Sequence, residues 1–438
     1  MCITDRPYLG KPYPHPEIVQ EIIRTDPYLR STLGVLPSTP EINQHNFSFY
    51  GGEHNFQVVG RQVGVREQEV VADSRSLNWF VTKTGDQGSV PEPQAQITNL
   101  VANSNDFKLH QSWALPDQSK IELYQSQQPV TEVKFISPKS DQFSQLQIAD
   151  LQITDQAVAG QTVPIKYQWR GNVDVLTKGI VLLTWSAVDS GNNQDIWLHD
   201  HALGFGMLNL KQMKLKASQG KFQVTEDTAM LIPAKIKPGK YQLSIRYLNV
   251  PKESSYAIKL NTPRIIEVVA NSNSPAITTR ELDLNTQLRA IAPTMATGIS
   301  ALEPVFAQTA RINQYDGNQS YLKQTEKSLA YRLANDQLTN QQKIDWSYAI
   351  ALSRVLQQDV AGAIKSWQSI TKIDPENPYG YAYLAFVYLY DWQPQKAERV
   401  LQQSTALNPD ITEVKTLRGV AALMQGRFIK AWNLLIEN

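Results

Sequence analysis

A period of 34 residues near the C-terminus limits what this chain can fold into more than any other feature. Ala363, Ala397 and Ala431 fall on it, as do Ala351, Ala385 and Gly419, and also Pro375 and Pro409. Asp374-Pro375-Glu376 and Asn408-Pro409-Asp410 write the same turn twice. Small residues at two fixed positions, with a proline after the second helix, are the signature of tetratricopeptide helical hairpins. The period predicts helices near 344–357 and 360–373, then near 378–391 and 394–407. A third hairpin starts near Thr412, and the sequence stops at Asn438 inside its second helix. The small residues mark close helix crossings, where a larger side chain would cost about 1–3 kcal/mol. Trp367, Leu401 and Leu435 share one position and are expected to form the spine between hairpins. Such repeats bind partners more often than they perform chemistry, so a protein partner is expected here. Trp346 and Trp392 are the candidate anchors, because tryptophan is favoured at binding hot spots. A solenoid normally ends in a polar cap. None follows Asn438, so the array is expected to continue into a partner or to be truncated.

The preceding residues change period twice. From 1 to 128, short helix-like and strand-like pieces alternate: Glu17 to Arg24, Thr32 to Leu36, Glu41 to Tyr50, Phe56 to Gly64 and Leu77 to Lys83. A hairpin follows around Pro116-Asp117-Gln118-Ser119, which makes this a small α/β unit. Residues 129–145 are polar and proline-bearing and read as a linker. From 146 to 269 the period is two, as in Val163 to Trp169 and Tyr241 to Tyr247, which predicts an immunoglobulin-like β-sandwich without its disulfide. Residues 270–280 read as a second linker. Helical spacing returns over 281–343, where Gly317, 34 residues before Ala351, suggests a degenerate repeat. The repeats proper occupy 344–438. The fold class expected is therefore a small α/β unit, a β-sandwich and an α-helical repeat solenoid in series.

Composition narrows the function. The 438 residues carry 42 basic and 41 acidic side chains, so no basic face for nucleic acid is indicated. Cys2 is the only cysteine, which excludes an internal disulfide and a cysteine metal site. No signal peptide is visible in Met1 to Pro16, and the longest apolar run, Tyr381 to Tyr390, is well short of the ~18–20 residues of a membrane span. A soluble chain is expected.

Three local clusters invite a chemical reading. His199 and His201 in Trp197-Leu198-His199-Asp200-His201 would share a strand face about 6–7 Å apart. They are candidate metal ligands, but no nearby spacing supplies a third, and the alternative is two hydrogen-bonding residues. His45, Asn46 and His54 bracket Phe47 to Gly52, which reads either as the lining of a sugar or phosphate site or as a helix end packing its aromatics. Thr84-Gly85-Asp86-Gln87-Gly88 is either a plain turn or an anion-binding loop, and it matches neither phosphate-loop nor dinucleotide fingerprints. No catalytic set and no cofactor are indicated.

The runs Arg6 to Gly10, Pro12 to Pro16, Thr32 to Asn46, Lys83 to Gly88 and Leu115 to Ser119 resemble the soluble tail of bacterial membrane glycosyltransferases of the protein-mannosyltransferase-like kind, which use polyprenyl-phosphate sugars. The resemblance covers roughly residues 6–125 by motif and the rest by domain order. It implies an extracytoplasmic location and a partnership with a membrane glycosyltransferase domain. That family's catalytic acidic residues belong to a membrane domain that this sequence lacks, so none is carried over. The expected function is a non-catalytic accessory or C-terminal region of such an enzyme. The alternatives are a stand-alone repeat scaffold and a soluble enzyme with an unrecognised site.

Overall fold

The computed structural model describes residues 13–64, 66–136, 145–188, 195–270 and 279–436. Pro14 opens helix α1 (His15–Thr25), and Ile18, Val19 and Ile22 give it one apolar face. That face lies on a sheet in which β1 (Ser31–Val35), β2 (Val58–Gln62) and β3 (Trp79–Lys83) run parallel. Helix α2 (Gln44–Glu53) joins β1 to β2, and α3 (Val70–Arg75) precedes β3. Helix α4 (Glu92–Asn103) leads to β4 (Phe107–Ala114), which pairs antiparallel with β5 (Lys120–Ser126). The strand order is β2-β1-β3-β5-β4. Leu33, Val35, Trp79 and Val81 face α1 and α2, whereas Phe80 packs with Ile97 and Val101 of α4 on the other face. Helix α2 begins three residues later than its proline suggests, because Asn43 and Asn46 form a reciprocal capping box. The sequence reading has no counterpart for α4, whose buried side chains are only Gln94, Ile97 and Val101.

The stretch 129–145, expected to be a linker, contains regular structure. Within 129–145, β6 (Thr131–Ile136) is a strand, with Phe135 opposite Phe222 and Val133 packed on the core. Residues 137–144 of that stretch, and 271–278 of the expected second linker, lie outside the described residues. The strands β7 (Gln147–Ile153), β8 (Gln156–Val158), β9 (Thr162–Gly171), β10 (Gly179–Ala187), β11 (Ile196–Leu198), β12 (His201–Ala202), β13 (Lys221–Leu231), β14 (Gly239–Asn249), β15 (Ser254–Ile258) and β16 (Ile265–Val269) complete two sheets. One has the order β6-β13-β9-β7; the other has β11-β10-β14-β16-β8, with β12 beside β10 and β15 beside β14. Short helices α5 (Val173–Lys178) and α6 (Leu210–Lys216) lie between strands. Alternation turns Ile165, Tyr167 and Trp169 inward to meet Val181, Leu183, Trp185, Leu243 and Ile245 of the other sheet in one core.

Helices α7 (Leu284–Ile291), α8 (Leu302–Ile312) and α9 (Ser320–Asn335) follow. The hairpins are α10 (Asn340–Leu356) with α11 (Val360–Ile373), α12 (Pro378–Tyr390) with α13 (Pro394–Leu407), and α14 (Thr412–Met424) with α15 (Phe428–Ile436). Ala351, Ala363, Ala385, Ala397, Gly419 and Ala431 are all buried, while Pro375 and Pro409 sit exposed in the turns. A Cβ on Gly419 would lie 2.7 Å from the Leu435 side chain, which shows how closely α14 and α15 approach. Gly317 does not continue the period: it occupies the turn between α8 and α9, beside Val59 and Arg61 of β2. No described helix is long and apolar enough to cross a membrane.

Candidate functional site

Helix α12 stacks Tyr379, Tyr383, Phe386 and Tyr390 along one face, at the spacing that aligns side chains on a helix. The first half of this stripe is covered by the chain itself. The turns Ala292–Thr297 and Ile299–Ala301 lie against it. The Tyr383 hydroxyl donates to the carbonyls of Met295 (3.0 Å) and Gly298 (2.9 Å), and Asn377 Nδ2 donates to that of Ala296 (3.0 Å). Phe386 and Tyr390 are exposed, and Trp392 just beyond them is 82% exposed. The two predicted anchors therefore part company. Trp392 stands in solvent, whereas Trp346 is half-buried and packs on the hydrophobic core.

In the α/β unit, His45 and His54 lie near opposite ends of α2, roughly 13 Å apart along its axis. Asn46 is committed to the capping box. His54 lines a 620 Å³ cleft with Arg30, Gln57, Lys211 and Gln212, between this unit and the two-sheet domain. The structure thus does not assemble His45, Asn46 and His54 into one site. The ring that packs on Phe47 and Tyr50 is His15, stacked on Tyr50 at 5.5 Å.

Residues far apart in sequence do converge at the carboxyl ends of β1 and β3, the switch point of this sheet. Tyr13, Thr39, Glu41, Lys83, Asp86 and Asp117 line a cleft of 110 Å³ there. Lys83 is buried; its ammonium reaches Asp117 Oδ2 at 2.9 Å and the Asp86 carbonyl at 3.0 Å. Hydrogen bonds from Ser119 and Lys83 hold the Asp117 carboxyl down at about 2. Across the cleft floor the two loops are stitched together: Ser38 N–H donates to the Gln87 carbonyl at 2.8 Å. Gly88 has φ +71°, and a Cβ there would lie 2.0 Å from the Ser38 carbonyl oxygen. Thr84 to Gly88 is therefore a turn shaped for backbone contact with the neighbouring loop.

His199 and His201 sit in a different setting, where the two-sheet domain meets α7 and α9. Both are fully buried, with ring centroids 5.2 Å apart. The Tyr167 hydroxyl bonds His199 Nδ1 at 2.8 Å, and His199 Nε2 lies 3.1 Å from Asp283 Oδ2 without the alignment of a hydrogen bond. His201 Nδ1–H donates to the His199 carbonyl at 2.8 Å, and its Nε2 meets Glu226 Oε2 at 3.0 Å, a pair of contacts that favours the imidazolium. Burial lowers the His199 pKa. Burial opposes charge on His201 as well, but the Glu226 carboxylate outweighs it and the pKa is raised. Glu226 also accepts from Trp169 Nε1 and the Gly204 N–H, each at 2.6 Å. Asp283 caps α7 through Thr286 N–H. Burial works against its charge, yet His199 and the nearby Arg289 hold its pKa low. Asp200, between the histidines, receives Arg332 from α9. Among the described residues, no group of three or more histidine, cysteine or carboxylate side chains is placed to hold a metal ion. The cluster binds α7 and α9 to the strands, and the sequence flagged only its two histidines, because Glu226, Asp283, Arg289 and Arg332 come from distant segments.

A second buried joint ties the same helical region to the α/β unit. Arg311 Nε of α8 donates to Asp73 Oδ1 of α3 at 2.9 Å, and Tyr315 O–H donates to the same oxygen. Burial and the Asp73 charge push the Tyr315 phenol up. The helices from Leu284 to Asn335 are thus a keystone between the other parts.

No family model matches the chain. No curated protein matches it either. Among solved structures, the crystal structure of MamA protein aligns at 15% identity with a TM-score of 0.23, over 34% of this chain and 87% of that one. Another MamA structure, labelled AMB-1, aligns at 15% identity with a TM-score of 0.25, over 34% and 94%. Likenesses of this size establish no common function.

Proposed function

We propose that this chain is a non-catalytic binding module whose helical repeats receive a protein partner. The observation that carries this reading is the uncovered half of the α12 stripe, Phe386 and Tyr390, with Trp392 beside it. Aromatic side chains standing together in solvent are costly to leave unpaired and suit a protein contact. In the full-length chain, Phe386→Ser with Tyr390→Ser is expected to abolish capture of the host partner while leaving the circular-dichroism spectrum and melting temperature unchanged. Undiminished capture by the double variant would remove the stripe from the contact.

The module further serves, in our reading, as an accessory or C-terminal region of a lipid-linked-sugar glycosyltransferase on the extracytoplasmic face of a membrane, with its two-sheet part an immunoglobulin-like domain. The observation favouring this is that residues of several motif runs, Tyr13, Thr39 to Ile42, Lys83, Asp86, Gly88 and Asp117, gather around one small cleft. Adding the purified chain to host membranes is expected to bind them and alter transfer from the polyprenyl-phosphate sugar. Unchanged binding and transfer would leave only the stand-alone scaffold.

A further inference from the structure

Between the α/β unit and the two-sheet domain lies the 620 Å³ cleft that holds His54, and its charge is one-sided. Arg30 and Lys211 line it with the His54 ring, and among the described residues around it Glu53 is the single carboxylate. The Arg30 guanidinium is set in place by Nη2, which donates to the Gly206 carbonyl at 2.5 Å. Helix α6 forms one lip. Met213 is fully buried, and that turns Leu210, Lys211, Lys214 and Leu215 outward together. Leu210 is 38% and Leu215 68% exposed. From Asn209 to Thr225 the sequence carries four lysines and no carboxylate, in a chain whose charges otherwise balance. On the facing lip Asn55 and Phe56 both hold φ +55°, a conformation uncommon outside glycine, and Phe56 is 54% exposed. A strained turn that leaves an aromatic ring in water points to a surface role.

Charge and apolar exposure together select the occupant. The cations fit an anionic surface, and the bare leucines among the lysines fit one with an apolar layer just beneath its charges. A bilayer of anionic lipids has both. Nucleic acid offers phosphates, but no apolar layer along its backbone for Leu210 and Leu215. A second copy of the chain would set these lysines against themselves, which is unfavourable.

We infer that this face rests on an anionic lipid surface, with a lipid phosphate in the cleft beside Arg30 and Lys211 while Leu210, Leu215 and Phe56 enter the boundary with the acyl chains. This deepens the reading of a module on a membrane face and rests on it. The test sediments the full chain with vesicles of phosphatidylcholine alone, or of equal parts phosphatidylcholine and phosphatidylglycerol. The phosphatidylglycerol vesicles are expected to bind at least about tenfold more tightly, and less so as salt is raised. Lys214→Glu with Leu215→Ser, both at exposed positions, is expected to weaken this binding about tenfold or more at an unchanged melting temperature. Lys211→Gln, also exposed, is expected to weaken it about fivefold. Phe386→Ser with Tyr390→Ser is expected to leave it unchanged. Equal binding to both kinds of vesicle, or full binding by the Lys214 and Leu215 variant, overturns the proposal. So does duplex DNA that displaces the vesicles, which would make nucleic acid the occupant, or calorimetric binding of inorganic phosphate without vesicle binding, which would make it free phosphate. Host membranes that bind when phosphatidylglycerol vesicles do not would overturn this contact and leave the membrane-face reading standing. Vesicle binding with unaltered sugar transfer would keep the contact and remove the glycosyltransferase reading.

Discussion

Arg332 grips Asp200 through both carboxylate oxygens, with Nε 2.6 Å from Oδ2 and Nη2 2.7 Å from Oδ1, and neither side chain reaches solvent. Asp200 Oδ1 also accepts the Leu183 N–H at 2.9 Å. Arg332 continues to Asp336, which takes Arg246 at 2.5 Å from β14. The chain of charges runs from the strands into α9 without a gap. Removing one partner leaves the other charged and buried, so Arg332→Ala is expected to cost about 3–5 kcal/mol in urea unfolding. The double replacement Arg332→Met with Asp200→Leu should cost less than the sum of the single ones. A loss under about 1 kcal/mol for Arg332→Ala would mean that the pair does not hold the joint.

The paired histidines give stability opposite pH slopes. His201 has a raised pKa in the fold, so its contribution is complete below about pH 6.5 and is lost as pH rises through the folded value. His199 has a lowered pKa, so its neutral state costs stability once pH falls below about 6.5. His201→Gln is expected to flatten the alkaline decline of melting temperature, and His199→Gln the acid one. Melting curves for the three proteins from about pH 5 to 9 check this. Parallel curves would show that neither ring is coupled to folding in this way.

Two glycines of one turn separate backbone strain from collision. Gly85 and Gly88 have φ values of +74° and +71°, but a Cβ on Gly85 would meet nothing nearer than 3.8 Å. Gly85→Ala is expected to cost only about 1 kcal/mol. Gly88→Ala adds a clash with the Ser38 carbonyl and should exceed about 2 kcal/mol. Equal losses in denaturant titrations would disprove the close loop contact.

Tyr383 pins the turns at 292–301 to the repeats with one hydroxyl. Tyr383→Phe keeps the ring and removes both carbonyl contacts, for an expected loss of about 1 kcal/mol. Hydrogen exchange should quicken across residues 292–301 and stay unchanged in α13. Exchange that is unaltered there would assign the anchoring to the Tyr383 ring and to Asn377, which donates to the Ala296 carbonyl.

The repeats were legible because their signal is local and written three times: small residues at helix crossings leave no other regular solution. The strands of both β regions were legible where alternation or an apolar run was clean, as in Val163 to Trp169. Strand β6 was hidden by Pro129 and the polar residues around it, since Val133 and Phe135 alone carry its apolar side. Helix α4 was hidden for a similar reason. The candidate sites were the least legible. His199 and His201 stood out as a pair, yet what surrounds them comes from β13, α7 and α9, and no spacing in a sequence encodes such a meeting. Asn46 looked like a ligand because asparagine serves equally in a cap and in a binding site.

Covering half of the α12 stripe with residues 295–298 has a mechanical consequence. The same chain segment continues through α7 and α8 into the buried charges that hold the strands. A pull on α12 is therefore passed through this segment to two buried joints, one on the strands of the two-sheet domain and one on α3.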